Sequence, residues 1–238
     1  MSTALPGVIR WGAEQARTAV WRGQPAVACL SPLPDAPPPS TAFVRRCLDH
    51  LSAKGFSSVI TSALAPGERA AFLQAGFTVY EELHLLAHDL RRVPPAATGA
   101  GLRRARAGDR PAVLAVDAAA FPPFWRIDAA GLDEAVRATA RARFRVAEPD
   151  GLVEGYAVTG RSGRRGFVQR LAVSPGRQRR GIGRALVLDA LGWLRRWRVD
   201  QAVVNTQVGN DAALVLYESV GFTREPDGLC VLRRDLDP

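Results

Sequence analysis

The chain has 238 residues, 47% of them hydrophobic, which allows one large core or two small ones. Its net charge of +9 suggests a nucleic-acid or anionic-membrane partner, but only Lys54 among the 32 basic residues is a lysine, so a compositional bias towards arginine weakens this inference. No apolar run has transmembrane length, no signal-peptide pattern opens the chain, and Cys29, Cys47 and Cys230 are too widely spaced for a disulfide framework. We therefore expect a soluble cytoplasmic protein without a membrane partner.

The best candidate for a domain boundary is the Pro- and Gly-rich stretch RRVPPAATGAG, residues 91–101. It predicts a linker between two segments of regular pattern. We therefore predict a first domain over residues 1–92, a linker over 93–101 and a second domain over 102–238.

Helices and strands alternate irregularly after this linker. A short strand ends in Asp109, which could cap a helix in RPAVLAVDAAAF, and a second helix is predicted in AAGLDEAVRATA. Strands are predicted in RFRVAEP, GLVEGYAVTG, GFVQRLAVS, DQAVVNTQV and GLCVLRRDL, with a helix after the third and after the fourth. This order predicts an α/β (α+β) fold in which helices cover both faces of a mixed sheet.

Two parts of the chain share a pattern. Residues 67–90 and 210–236 each contain a predicted helix, a Gly-Phe pair and a strand ending in Asp-Leu. Upstream of these, AVACLSP aligns with QRLAVSP, and STAFVRRCLDHL with GRALVLDALGWL. The first ninety residues therefore resemble a truncated copy of the second half of the C-terminal domain.

The stretch RQRRGIGRAL, residues 177–186, places two glycines among arginines where a strand gives way to a helix. A helix N-terminus offers unpaired N–H groups and partial positive charge, and Gly181 and Gly183 would let a diphosphate approach the backbone. The Walker ending Gly-Lys-Ser/Thr is absent, and the third glycine of a dinucleotide fingerprint is replaced by Leu186. Charge around the turn would come from Arg177, Arg179, Arg180 and Arg184.

Together, LAVSPGRQRRGIGRALVLDAL and NTQVGNDAALVLYESVGF resemble the two signature motifs of the GNAT superfamily of acyl-CoA N-acyltransferases, over residues 101–238. The resemblance implies a largely antiparallel mixed sheet, preceded here by a partial GNAT-like repeat, and acetyl-CoA (coenzyme A) as cofactor. The family's strand and Gly-rich turn would contact it through Leu171, Ala172, Val173, Gln178, Arg179, Arg180, Gly181, Ile182, Gly183 and Arg184, with Asn210 near the pantetheine or adenine side.

In this family the amine attacks the thioester directly. The backbone N–H of Val173 could stabilise the oxyanion that develops, and a tyrosine hydroxyl, with an ordinary pKa of about 10, suits protonation of the departing thiolate. The resemblance assigns that role to Tyr217, although a helical tyrosine is more often a packing residue. Asn205 stands where peptide-modifying relatives often carry a glutamate, so Glu154, on the central strand, is the candidate base. Alternatively, Glu154 is a solvent-exposed strand residue without a catalytic role.

The resemblance implies that the acceptor is a primary amine, on a small molecule, a peptide N-terminus or a lysine. The segment AFPPFWRID lies where family members place an acceptor loop, which predicts substrate contacts from Phe121, Phe124, Trp125, Asp128 and Asn205, although such aromatic residues could equally serve packing. His84 and His88 have no third ligand nearby, so no metal is expected. A homodimer is compatible with the sequence.

The first half lacks the chemistry of the second. Aligned on the shared patterns, Pro38 and Ser40 replace the two glycines and Phe72 replaces Tyr217. We therefore predict one cofactor site per chain, with the first half as scaffold, sheet extension or acceptor wall. Two rival functions remain: a basic nucleic-acid-binding protein, which we do not expect because the arginines surround a diphosphate-sized turn, and a non-catalytic acyl-CoA sensor.

Overall fold

The computed structural model of the chain describes residues 7–33, 35–95 and 100–236. Residues 1–6 and 96–99, on which part of the signal-peptide and linker predictions rest, lie outside this set. The chain forms two compact units, one of Met1–His84, Gln207–Gly209 and Pro226–Pro238, the other of Leu85–Thr206 and Asn210–Glu225. No helix within the described part of the chain has the length and apolarity needed to cross a membrane.

The first unit contains a sheet in which only one neighbouring pair of strands, β3 and β4, runs parallel among the residues described. The strands are β1 (Gly7–Trp11), β2 (Glu14–Trp21), β3 (Gln24–Pro32), β4 (Ser58–Thr61), β5 (Thr78–His88) and β12 (Leu229–Asp235). Their order in the sheet is β1-β2-β3-β4-β12-β5. The helices of this unit are α1 (Thr41–Ser52) and α2 (Pro66–Gln74).

Helix α1 forms because a cap and an apolar stripe coincide. The hydroxyl of Ser40 accepts a hydrogen bond from the backbone N–H of Phe43 at 3.1 Å, which satisfies one of the unpaired donors at the helix start. Phe43, Cys47 and Leu51 then recur at a spacing of four residues and are at most 1% exposed. The helix is thereby fixed on the core of the first unit.

The second unit has the sheet order β10-β9-β8-β7-β6, in which β9 and β10 are parallel and the other neighbours antiparallel. Its strands are β6 (Leu102–Arg104), β7 (Arg141–Ala147), β8 (Gly155–Ser162), β9 (Arg165–Val173) and β10 (Gln201–Gln207), while the short β11 (Thr223–Arg224) pairs with the end of β5. Its helices are α3 (Arg110–Ala120), α4 (Ala129–Arg137), α5 (Ile182–Arg196) and α6 (Asp211–Ser219).

Helices cover both faces of the strands of the second unit. Val146 and Ala172 pack in a core with α3 and α4, whereas their chain neighbours Ala147 and Val173 pack in another core with α5. Successive strand residues point to opposite faces, so the two cores lie on opposite sides of the sheet. The predicted mixed, largely antiparallel sheet with helices on both faces is confirmed.

The division into units differs from the predicted boundaries at residues 92 and 102. Strand β12 belongs to the first unit because it pairs with both β4 and β5, with Arg233 opposite Ile60 and Leu229 opposite Leu83. The boundary itself falls inside β5, between His84 and Leu85. Long-range strand pairing, which a pattern read in chain order does not reveal, causes the difference.

The predicted cap of α3 is wrong. Asp109 forms no side-chain capping bond to that helix. Its carboxylate instead accepts hydrogen bonds from both terminal nitrogens of Arg103, at 2.7 and 2.8 Å. The charge-assisted hydrogen bonds between Arg103 and Asp109 are stronger than a capping bond to a neutral backbone N–H, so the carboxylate pairs with Arg103 instead of capping α3.

Candidate active site

The Gly-rich turn that joins β9 to α5 has an unusual backbone. Gly181 is the N-cap residue of α5 and has a φ of 82°, in the left-handed region that glycine adopts at little cost. Arg179, two residues earlier, has a φ of 61°, which for a residue with a Cβ costs about 1 kcal/mol. The turn therefore holds local strain next to a helix start.

The backbone donors of this turn are unused by the protein. Within residues 7–33, 35–95 and 100–236, no protein group accepts a hydrogen bond from the N–H of any residue from 179 to 184. The first bond of the helix runs from the N–H of Ala185 to the carbonyl of Gly181, at 2.9 Å. No atom lies within 4 Å of where a Cβ on Gly181 would stand, so the turn borders open space. Free donors at the positive end of a helix form an anion site.

Close packing holds the turn against the sheet. A Cβ on Gly155 would lie 3.0 Å from Cγ2 of Ile182 and 3.1 Å from the carbonyl oxygen of Ala172. A Cβ on Gly183 would lie 3.1 Å from Cδ2 of Leu216. The side chains of Ala172 and Ile182 are buried, so these two residues offer only their backbone to a ligand.

The polar side chains around the turn divide into anchored and free groups. Gln178 donates from Nε2 to the carbonyl of Val173 at 3.3 Å, and Arg184 donates to the carbonyl and the hydroxyl of Ser219 at 3.1 and 3.0 Å. These two residues tie the turn to its surroundings. Arg179 and Arg180 are exposed and remain available as charge for an anion.

Strands β9 and β10 separate next to the turn. Their parallel pairing covers Gln201 to Val203 and ends at Phe167, whereas β9 stays paired with β8 as far as Val173. The edge of β9 that faces away from β8 therefore has backbone groups over residues 168–173 that β10 does not use. Leu171 is half-buried on this edge, and Asn205 is exposed on β10.

Helix α6 carries the two predicted residues of the second motif. Oδ1 of Asn210 accepts a hydrogen bond from the N–H of Ala213 at 3.2 Å, so Asn210 is the cap of this helix. Tyr217 is 5% exposed, and its ring meets that of Phe222 edge to face with centroids 5.6 Å apart. Burial raises the pKa of Tyr217 above its ordinary value. The phenol is therefore protonated at neutral pH.

Glu154 directly precedes β8 and extends the pairing of that strand, because its N–H donates to the carbonyl of Ala147 at 2.9 Å and its carbonyl accepts from the N–H of Ser174 at 2.8 Å. Its carboxylate pairs with Nε of Arg177 at 3.1 Å. Arg177 also pairs with Asp150 at 3.3 Å, so this arginine does not add free charge to the Gly-rich turn as predicted. The pattern contained no signal for this pairing, since the two residues are 23 positions apart.

The predicted acceptor segment runs from Phe121 to Asp128. The guanidinium of Arg170 lies 3.6 Å from the centroid of the Phe121 ring, and the rings of Phe124 and Trp125 meet nearly perpendicularly at 5.6 Å. Asp128 accepts a hydrogen bond from the N–H of Gly131 at 2.8 Å, which makes it the cap of α4. Asp128 therefore has a structural role, whatever else it contacts.

Sequence reasoning missed a buried polar network behind this segment. Asp117, which is fully buried, accepts hydrogen bonds from Nε and Nη2 of Arg170 at 2.8 and 2.9 Å and from the hydroxyl of Tyr156 at 2.5 Å. Arg170 also donates to the carbonyl of Trp125 at 2.8 Å, and Asp117 accepts from the N–H of Ile127 at 2.9 Å. The network joins α3, β9 and the acceptor segment.

Comparisons with known proteins agree with this geometry. Residues 111–222 match the profile of the Acetyltransferase (GNAT) family. A mycothiol acetyltransferase of Amycolatopsis mediterranei is 34% identical over 204 residues, 77% of this chain and 67% of that protein. The N-alpha-acetyltransferase RimI of Mycobacterium tuberculosis is 40% identical over 82 residues, 33% of this chain and 50% of that protein.

A solved structure extends the likeness of fold over nearly the whole chain. A tandem GNAT protein from the clavulanic acid biosynthesis pathway superposes with a TM-score of 0.72 at 16% identity, covering 97% of this chain and 82% of that chain. The family profile and the identity to mycothiol acetyltransferase carry the assignment. The chain belongs to the GNAT family of acetyltransferases and is an acyltransferase.

Proposed function

We propose that the chain transfers an acetyl group from acetyl-CoA to a primary amine, by direct attack within a ternary complex. The observation that carries this proposal is the row of unused backbone N–H groups at residues 179–184, beside open space at Gly181. A diphosphate needs several such donors at close range, and glycine allows that approach.

The residues around the turn fit acetyl-CoA. Its diphosphate would be held by the amides of the turn and by Arg179 and Arg180. The edge of β9 from Leu171 to Val173, which lacks pairing to β10, offers backbone groups to the amide-bearing arm, and Asn210 keeps Nδ2 for a further contact. Bound there, the cofactor would supply an acetyl group activated as a thioester.

Tyr217 would hold the proton that the departing sulfur needs. Its hydroxyl is protonated at neutral pH because burial raises its pKa, and the surrounding apolar side chains exclude water from it. The backbone N–H of Val173 is the proposed donor for the charge that develops on the carbonyl oxygen. Glu154 remains the proposed base, but it could act only after giving up its pair with Arg177.

The acceptor that we propose is a small-molecule amine. The similarity to mycothiol acetyltransferase extends over 77% of the chain, whereas the similarity to the N-alpha-acetyltransferase RimI covers 33%. The amine would be received by the segment that holds Phe121, Phe124 and Trp125, with Asp128 and Asn205 as polar contacts.

We also infer that the first unit is a degenerate repeat of the same plan. Its element order β2-β3-α1-β4-α2-β5 parallels β8-β9-α5-β10-α6-β11, and in both series an antiparallel pair of strands precedes a parallel one. The rings of Phe72 and Phe77 meet edge to face at 5.3 Å, and Phe77 N–H bonds to the carbonyl of Phe72 at 3.1 Å. The same ring contact and the same 3.1 Å backbone bond join Tyr217 and Phe222.

The repeat has fewer free amides at the corresponding helix start, because Pro38 and Pro39 carry no N–H and those of Ser40 and Phe43 are bonded. Since Ser40 is the N-cap of α1, it corresponds to Gly181, which corrects the sequence alignment by two residues. The Glu14 carboxylate accepts hydrogen bonds from the backbone N–H and the hydroxyl of Ser40, and that hydroxyl caps Phe43. Calorimetry should accordingly give one acetyl-CoA per chain; two would refute the inference.

Thiol release from acetyl-CoA across a panel of amines tests the function. Wild type should release thiol with at least one amine, and Tyr217→Phe should slow release while cofactor affinity is largely kept; Tyr80→Phe, in the first unit, is the matched control. An unchanged rate in Tyr217→Phe would remove this residue from the mechanism. Cofactor binding without release for any amine would favour the sensor, and steeply salt-dependent DNA binding that acetyl-CoA does not displace would favour the nucleic-acid rival.

A further inference from the structure

A cleft of about 240 Å³ lies within the first unit and is lined by none of the residues of the proposed cofactor site. It is bordered by the start of α2, by β5 and by the turn that leads into β12. Val208, which is 50% exposed, adds an apolar side chain to its lining. The volume is suited to a small metabolite rather than to a peptide.

One wall of the cleft carries polar groups on a single strand face. Glu82 and His84 are two residues apart on β5, so their side chains share a face. Glu82 stands opposite Cys230 in the ladder between β5 and β12. Arg69, from α2, borders the same cleft as Cys230, and its charge counteracts the rise that burial causes in the pKa of the Cys230 thiol. The guanidinium and the Glu82 carboxylate therefore approach the same cleft.

A second carboxylate comes from the turn before β12. A Cβ on Gly228 would lie 2.5 Å from the carbonyl oxygen of Leu83, so this turn packs directly on the backbone of β5. Only glycine permits that approach. The packing fixes the neighbouring Asp227 at the rim of the cleft.

These charges are not used in ion pairs. Neither Glu82 nor Asp227 forms a salt bridge with any residue that the structure describes. A simple anion in the cleft would face both carboxylates, and a simple cation would face Arg69. A molecule that carries both an ammonium and a carboxylate satisfies all three groups, and the apolar lining suits a short aliphatic chain.

We propose that this cleft binds a small zwitterion of the amino-acid type. Its carboxylate pairs with Arg69 and its ammonium lies between Glu82 and Asp227. The proposal concerns binding and stands independently of acetyl transfer.

Titration calorimetry of the full chain with L-leucine, without acetyl-CoA, tests the proposal. Isopentylamine lacks the carboxylate and 4-methylpentanoate lacks the ammonium, but both keep the aliphatic chain. L-leucine should bind, and each analogue should bind at least about tenfold more weakly, because each leaves charged groups of the cleft without a partner. No binding of L-leucine, or equal binding of isopentylamine, overturns the proposal.

Variants locate the site. Arg69→Gln and Asp227→Asn should each weaken L-leucine binding by about tenfold or more. Glu81→Gln is the matched control, because Glu81 is on β5 but faces the opposite side from Glu82. Affinities equal to wild type in the first two variants, with folding verified by circular dichroism, would overturn the assignment.

A last experiment distinguishes two reasons why the chain would bind an amino acid: as the acceptor of the acetyl group or as a regulator. Adding acetyl-CoA to the protein with L-leucine and following thiol release distinguishes an acetyl acceptor, which is consumed, from a bound regulator, which is not. Either result supports the site, since binding is measured beforehand. Binding of L-leucine without thiol release from acetyl-CoA for any amine of the panel would leave this site standing while the proposed function fails.

Discussion

Asp117→Asn should destabilise the second unit strongly, because it removes a charge without changing shape. Asp117 is fully buried, and the side chain of its partner Arg170 is only 10% exposed. Asparagine keeps one oxygen for the Tyr156 hydroxyl but leaves the guanidinium as a buried charge without a counter-charge. Breaking a buried pair in this way costs about 3 to 5 kcal/mol. That is a large fraction of the stability of an ordinary domain.

Urea unfolding followed by circular dichroism and tryptophan fluorescence measures this loss, with m checked for each variant. The double variant Asp117→Asn with Arg170→Gln should recover much of it, because no uncompensated charge remains. Asp200→Asn, which breaks an exposed pair with Arg164, is the control and should be close to wild type. A loss below about 1 kcal/mol for Asp117→Asn, or a double variant less stable than the single one, would refute the reasoning.

Three further predictions concern the turn, the histidine and the tyrosine. Gly181→Ala should lower the free energy of unfolding by about 1 kcal/mol, because φ at this position is 82°, and should weaken acetyl-CoA binding. Gly192→Ala, inside α5 with open space around it, should raise the free energy of unfolding by up to about 1 kcal/mol and leave acetyl-CoA binding unchanged. Urea unfolding and calorimetry measure the two effects, and equal acetyl-CoA binding by both variants would contradict the anion site at residues 179–184. Burial lowers the pKa of His88 below its usual 6.5, so the unfolded chain takes up this proton more readily and stability should fall as pH decreases below about 6.5, a fall that His88→Gln should lessen in unfolding measured across that range. Because burial raises the pKa of Tyr217, any loss of rate through its ionisation should lie above pH of about 10 and be absent in Tyr217→Phe; a tyrosine-dependent limb near neutrality would contradict its role as the acid.

The turn at residues 179–184 could be predicted because its signal is local. A glycine next to the predicted start of a helix indicates a backbone conformation that other residues rarely adopt, and Gly181 has such a left-handed conformation. The caps at Asn210 and Asp128 follow equally from a polar residue at the edge of an apolar pattern, although the sequence suggested ligand contacts for both. Local signals thus located these residues, and capping is a role that they have in addition to the ligand contacts proposed for them.

What remained hidden depends on pairing over long chain distances. Alternating residues predicted the strand around Leu229–Asp235, but nothing in that pattern names β4 and β5 as its neighbours. Likewise Glu154 and Arg177 each look like solvated surface residues, and only the fold brings them to 3.1 Å. The ion pair of the proposed base was therefore not predicted, because its partner lies 23 positions away in the chain.

The sequence contains a signal for the Asp117 network, namely charged residues at positions where the pattern predicts apolar ones. Asp117 lies four residues after the fully buried Val113 on α3, so it occupies the apolar stripe of that helix. Arg170 likewise interrupts the apolar run of β9. A charge in a buried position requires an opposite charge, and two such interruptions of opposite sign, 53 residues apart, can satisfy each other. Since Arg170 also binds the carbonyl of Trp125, this pair makes the position of the acceptor segment depend on the strand proposed to hold the cofactor.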